Sequence, residues 1–161
     1  MTAAVDASEP PSPEDVRLIE LFFFAYRDFI ADADRLLADD GFGRAHHRVL
    51  HFVNRQPGLS VAELLEPLAI TKQALARVLR QLVDAGLVVQ RQHPDDRRQR
   101  HLYPTEAGRA LTLRLAGPQS RRIARALDAA GHIGHADARS FARAFLRGMI
   151  EASPPGGAGE P

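Results

Sequence analysis

The stretch from Thr71 to Tyr103 constrains the fold more than any other part of the chain. It opens on a helical period and closes on two short strand-like runs, an order that few architectures accommodate. Thr71 can cap a helix that runs to Ala85 and is closed by Gly86. At about 100° per residue, Leu75, Val78, Leu79 and Leu82 gather on one side of that helix and must pack inward. Lys72, Gln73, Ala76, Arg77 and Arg80 fall on the other side. Leu87-Val88-Val89-Gln90-Arg91 then reads as a strand and Arg100-His101-Leu102-Tyr103 as its partner. The polar loop Gln92 to Gln99 lies between them, with a turn marked by Pro94-Asp95-Asp96. Strand, charged loop and strand make a hairpin.

Upstream, Ser60-Val61-Ala62-Glu63 has the spacing of a reciprocal N-terminal cap, opening a short helix that ends around Pro67. Helix, short turn, helix and hairpin together describe a winged helix-turn-helix, which docks its second helix in the DNA major groove. The chemistry of that helix agrees. Arginine and glutamine meet base edges through two hydrogen bonds, while a lysine and a free helix N-terminus suit phosphates. Ala76 is small enough to let a partner approach closely, and no acid interrupts the face until Asp84. In the loop, Asp96, Arg97, Arg98 and Arg100 supply guanidiniums for a narrow minor groove and a carboxylate to hold one of them in place. The charge distribution points the same way. Residues 1–41 hold ten acids against three arginines, whereas residues 71–109 hold eight bases against four acids. A basic centre within a chain of net charge +1 is an arrangement suited to an anionic partner, here double-stranded DNA.

The flanking segments read as helices. The first starts at Pro13 with Ser12 as cap and Asp15 in its first turn. Ile19, Phe22, Phe23, Tyr26, Ile30, Ala33 and Leu37 form one apolar stripe, and Leu18, Leu21, Ala25, Phe29 and Leu36 form another. A helix apolar on two sides needs more partner than one small core provides, so a subunit interface is expected. Gly41 and Gly43 end it, and a helix over 44–55 follows, with Ala45, Val49, Phe52 and Val53 on its inner face. After the hairpin, Thr105 caps a helix that must kink or break at Gly117-Pro118. A last helix is expected over about 136–150, with Phe141, Ala142, Phe145, Leu146 and Met149 facing a partner. The fold class is therefore mainly α with a small β-hairpin, a winged helix-turn-helix joined to an α-helical dimerisation region. The expected division is a disordered tail over 1–13, a dimerisation helix over 14–41 and a DNA-binding lobe over 42–104. Dimerisation helices over 105–152 and a disordered tail over 153–161 complete it.

The stretch from Leu64 to Gly108 resembles the multiple antibiotic resistance regulator (MarR) family. The pattern L-L-x-x-L-x-I-T-K-Q-x-L-x-R-V-L-R-Q-L-x-x-x-G-L-V is similar to that family's helix-turn-helix. D-D-R-R-Q-R-H-L-Y-P-T-E-A-G is similar to its wing and the start of its next helix. The helix order extends the likeness over about 13–150. The resemblance implies an obligate homodimer, built from the first and the last two helices, that binds a near-palindromic operator, most often as a repressor. By position, it places Thr71, Lys72, Gln73 and Arg77 against the major groove and matches Asp96, Arg97 and Arg98 to the wing. Two departures stand out: Pro67 shortens the third helix, and His93 occupies a wing position where aspartate is common.

The same resemblance implies a small aromatic or phenolic ligand between the dimer region and the DNA-binding lobe. Phe22, Phe23, Tyr26, His46, His47 and Arg48 would supply rings and a cation for it. No cofactor is expected. The histidines lack nearby carboxylates at ligand spacing, so no metal site is expected either. Cysteine is absent, which excludes thiol catalysis, disulfides and thiol redox sensing. The serines lie in tails or at helix starts and no phosphate loop occurs, so an enzyme is not expected. With neither a secretory signal nor an apolar run long enough to span a bilayer, the expected address is cytoplasmic. The alternative reading is a winged-helix protein-interaction module without specific DNA binding.

Overall fold

The computed structural model describes residues 10–92, 100–129, 140–142 and 145–146. The chain divides into two compact units, Met1–Gln119 and Ser120–Pro161. The first contains helices α1 (Pro13–Ala38), α2 (Arg44–Arg55), α3 (Val61–Leu68) and α4 (Lys72–Asp84), and most of α5 (Glu106–Ala129). It also contains strands β1 (Leu59–Ser60), β2 (Val88–Gln92) and β3 (Arg100–Pro104). In the second unit, residues 140–142 and 145–146 are helical, and the rings of Phe141 and Phe145 stack with centroids 6.2 Å apart. The remainder of the helix expected over 136–150 lies outside the described residues.

The helix starts follow from local chemistry. Ser12 Oγ accepts the Asp15 amide at 3.1 Å, and the Asp15 carboxylate returns a bond to the Ser12 amide. Ser60 and Glu63 repeat the arrangement at α3, with the Glu63 amide 3.2 Å from Ser60 Oγ. Each cap satisfies amides that the first helical turn leaves without partners. Pro67 sits in the last turn of α3, which ends one residue later. Ala69 turns the chain with a left-handed backbone (φ 50°, ψ 47°), a conformation costing about 1 kcal/mol for a residue with a Cβ. Thr71 then caps α4.

The hairpin expected from the sequence forms between β2 and β3, and β1 adds to it to give a three-stranded antiparallel sheet in the order β1-β3-β2. The extra strand is only two residues long, pairing Leu59 with Leu102 and Ser60 with His101. Gly58, at φ 94°, makes it possible: its amide donates to the Leu102 carbonyl at 2.7 Å, and its carbonyl faces His101 Nδ1 at 2.6 Å. Such a pairing depends on a distant partner and has no periodicity of its own.

One core joins these elements: Val49, Leu50 and Val53 of α2, Leu64 and Leu68 of α3, and Leu75, Val78, Leu79 and Leu82 of α4. Val88, Leu102 and Leu115 close it, and Ala33 and Leu37 are the only buried residues of α1. The N-terminal half of α1 leaves Leu18, Ile19, Leu21, Phe23, Phe24 and Tyr26 exposed in the single chain. A break at Pro118 does not occur. α5 continues through it as one helix, with Leu111 and Leu115 anchoring the preceding turns in the core. No helix among the described residues is long and apolar enough to cross a membrane.

Candidate nucleic-acid interface

α4 is positioned from behind by its own apolar side. Leu75 and Leu82 are fully buried, with Leu79 and Val78 nearly so, in contact with α2 and β2. The opposite face is consequently turned outward: Thr71, Lys72, Gln73, Ala76, Arg77 and Arg80 are all exposed. Thr71 Oγ1 accepts the Ala74 amide at 3.1 Å, and its carbonyl accepts the Leu75 amide at 3.0 Å. The amides of Lys72 and Gln73 thus stand at the positive end of the helix dipole without intrahelical acceptors. The threonine hydroxyl still has its own proton to donate. Cation, free amides and hydroxyl together fit a phosphate.

Farther along α4, Ala76 and Arg80 line a groove of about 320 Å³ with Gln90 and Arg100 of the hairpin. Gln90 Oε1 accepts from Arg100 Nη1 at 3.2 Å across the sheet, orienting the guanidinium at the start of β3. Asp84 lines the same groove, so its end is balanced in charge. Arg91 is diverted: its guanidinium lies over the Tyr103 ring, 5.0 Å from the centroid. The wing residues Asp96, Arg97 and Arg98, and the departure at His93, lie outside the described residues.

The expected ligand residues are dispersed among different environments. Phe23 and Tyr26 are 68% and 59% exposed, and Phe22 is half-buried. Arg48 donates through Nη2 to the Pro67 carbonyl at 2.7 Å, closing the C-terminal end of α3. His47 is half-buried, and burial, reinforced by the neighbouring His51 charge, holds its pKa below 6.5 against the opposing pull of Asp34. His46 is buried and committed to structure. Its Nδ1 accepts the Gly43 amide at 3.0 Å, which leaves Nε2 to carry the proton and donate to Gln81 Oε1 on α4 at 2.8 Å. Phe42 stacks on the same ring at 4.8 Å.

Sequence reasoning missed this link between the start of α2 and the middle of α4. Its signal was Gly43 with an acceptor three residues later, the spacing of an N-terminal cap with histidine in place of an acid. Among the described residues, no three His, Asp or Glu side chains come together where a metal could be held.

A family model described as "MarR family" matches residues 40–99, the span holding α2, α3, α4 and the first strand of the hairpin, β2. The HTH-type transcriptional regulator PetP of Rhodobacter capsulatus is 48% identical over 128 residues, covering 80% of this chain and 77% of PetP. Among solved structures, Mycobacterium tuberculosis Rv2887 in complex with p-aminosalicylic acid superimposes with a TM-score of 0.55 at 27% identity, covering 81% of this chain and 96% of that one. The repressor CouR bound to a 23-mer DNA duplex gives a TM-score of 0.65 at 24% identity, over 89% of this chain and 99% of that one, a likeness of fold. The cationic helix, the sheet behind it and these relatives agree: the chain belongs to the MarR family of DNA-binding, winged helix-turn-helix transcriptional regulators.

Proposed function

We propose that this regulator is a homodimeric repressor that occupies a near-palindromic operator and is released by a small aromatic ligand. The observation that carries the DNA half is the division of α4 into a buried leucine and valine side and an exposed cationic side with no acid before Asp84. In this reading Arg77 and Gln73 read base edges, with Ala76 letting the helix sit close to them. Lys72, Thr71 and the first amides of α4 hold phosphate, Arg80 and Arg100 grip the backbone beside the groove, and Asp96, Arg97 and Arg98 form the minor-groove wing. The dimer half is supported by the exposed apolar residues of α1, a surface too extensive to leave in water. The segments 14–41 and 105–152 would form the dimer, and 42–104 the DNA-binding lobe. Such a regulator works in the cytoplasm, where the chromosome is.

The ligand half is supported by the aromatic acid bound to Rv2887. Of the residues expected to hold such a ligand, Phe22, Phe23, Tyr26 and His47 remain available in this reading, whereas His46 and Arg48 already serve the fold.

Fluorescence anisotropy on DNA from the chain's own upstream region tests the proposal. Sequence-selective binding that weakens steeply with salt is expected, because each phosphate contact releases counterions. Two half-sites about one helical turn apart, roughly 34 Å, are expected for a twofold dimer. Absence of selective binding at about 0.1 M salt would leave a protein-interaction module instead. A stable folded monomer at micromolar concentration in light scattering would refute the dimer.

A further inference from the structure

We infer that Lys72 is a modification site: its ε-amine takes an acyl group from an acyl phosphate, and the neutral amide so formed loosens the hold on DNA. The inference rests on the regulator reading and adds a chemical input to it. Lys72 is the single lysine of the chain, and the other 20 bases are arginine. The two cations differ in what can be done to them. A guanidinium keeps its proton in a protein, whereas an ammonium gives one up to become a nucleophilic amine, the ordinary target of acylation. Lys72 is therefore the one basic side chain whose charge an acyl donor can remove.

The fold leaves that amine open to an incoming anion. Lys72 is the first residue of α4 and is exposed, as are Gln73 and Ala76 beside it. α4 carries no acid before Asp84, its last residue. Among the described residues the ion pairs are made by Arg27, Arg35 and Arg44, and none engages Lys72. Arg77 and Arg80 are exposed on the same side of the helix and add to its positive potential. Such a field raises the local concentration of a small dianion. An acyl phosphate is a small dianion that carries its own leaving group.

The transfer balances without a further reagent. The ammonium gives one proton to water, and the amine nitrogen attacks the carbonyl carbon of the acyl phosphate. The C–N bond forms, the C–O bond to phosphorus breaks, and the departing phosphate takes the second amine proton. Nothing is oxidised or reduced. The product is an amide without charge, so Lys72 loses the cation with which it would hold a phosphate of the DNA backbone. Each such contact contributes about 0.9 to the slope of log affinity against log salt, so its loss weakens binding about fivefold to tenfold near 0.1 M salt. The arginines of the same face stay charged. DNA on that face covers the amine, so acylation acts on the chain while it is off its operator.

Acetyl phosphate at millimolar concentration on the full chain, followed by peptide mass spectrometry, reads the modification independently of DNA. Acetylation of Lys72 is expected, slowed several-fold between about 0.05 and 0.5 M salt as screening removes the attraction. Operator DNA should protect the residue. In fluorescence anisotropy the acetylated chain should bind operator about fivefold to tenfold more weakly at 0.1 M salt. Lys72→Gln should bind as weakly without treatment, and Lys72→Arg should bind equally before and after it. An unmodified Lys72, or a rate indifferent to salt, would overturn the site. Modification by acetyl coenzyme A and not by acetyl phosphate would overturn the donor. Unchanged operator affinity after acetylation, no protection by operator, or a loss of affinity in treated Lys72→Arg would overturn the effect on DNA. If the chain binds no operator, the regulator reading fails and mass spectrometry still decides the site.

Discussion

Replacing Gly108 by alanine should destabilise this protein, although alanine is the better helix former. A Cβ built on Gly108 lies 2.0 Å from the Leu87 carbonyl oxygen and 3.0 Å from its carbonyl carbon. Ordinary contact begins at 3.4 Å, so α5 and the entrance to β2 must separate by more than an ångström. That junction is also where Thr105 anchors the helix. Its amide donates to the Leu87 carbonyl at 3.1 Å, its hydroxyl donates to the Gly86 carbonyl at 2.6 Å, and Thr105 Oγ1 accepts the Gly108 amide at 3.0 Å. Gly86 holds its carbonyl there by adopting a left-handed turn (φ 69°) at the end of α4. Overpacking against backbone costs about 1–3 kcal/mol, and loss of two of these bonds adds about 2. Helix propensity returns up to about 1 kcal/mol. The net loss is about 2–4 kcal/mol, and at about 2–4 °C per kcal/mol the melting temperature should fall visibly in urea and thermal unfolding. Ala107→Gly, one residue earlier, should cost only the propensity term. Propensity alone predicts that Gly108→Ala stabilises the protein, so the sign of the change decides. A variant as stable as the parent chain would refute the close-contact argument.

Other expectations follow from the proposed DNA face. Arg77→Ala should cost about 1–3 kcal/mol of operator affinity and relax discrimination at one base position, whereas Lys72→Ala should weaken all sequences alike and reduce the salt slope by about one. A changed sequence preference in Lys72→Ala would reverse that division of roles. Thr71→Val should cost about 1 kcal/mol in unfolding experiments, since it removes the acceptor for the Ala74 amide. Stability should also fall on mild acidification. His47, held below 6.5 chiefly by burial, binds fewer protons folded than unfolded, so stability is lost as pH falls through 6.5 towards its folded value. Glu63, held below 4.5 by the Ser60 hydrogen bonds, adds a further loss at lower pH. His47→Gln should flatten the dependence of the urea midpoint on pH between about 7 and 5.5, and an unchanged slope would assign the loss to other groups.

What the sequence determined by itself is what depends on near neighbours. Ser12, Ser60 and Thr71 stand three residues before the amides they cap, and all three caps are found there. The leucine spacing of α4 decided which side of that helix would be buried, because helical period converts directly into a face. Tertiary structure decided the features whose partners are far away in the chain. Leu59 and Ser60 become a strand only because Leu102 and His101 arrive beside them. His46 reads as a polar residue on a short helix, yet it is buried because Gly43, Phe42 and Gln81 together satisfy its ring. Pro118 marks a kink or a break by local rules, and α5 continues through it unbroken while the preceding turns are held in the core. Gly108 has no visible task until the Leu87 carbonyl occupies the space of its missing side chain. Local rules act through a few bonds and can be read along the chain. These other contacts join residues that come together only after the chain has folded, where packing outweighs local preference.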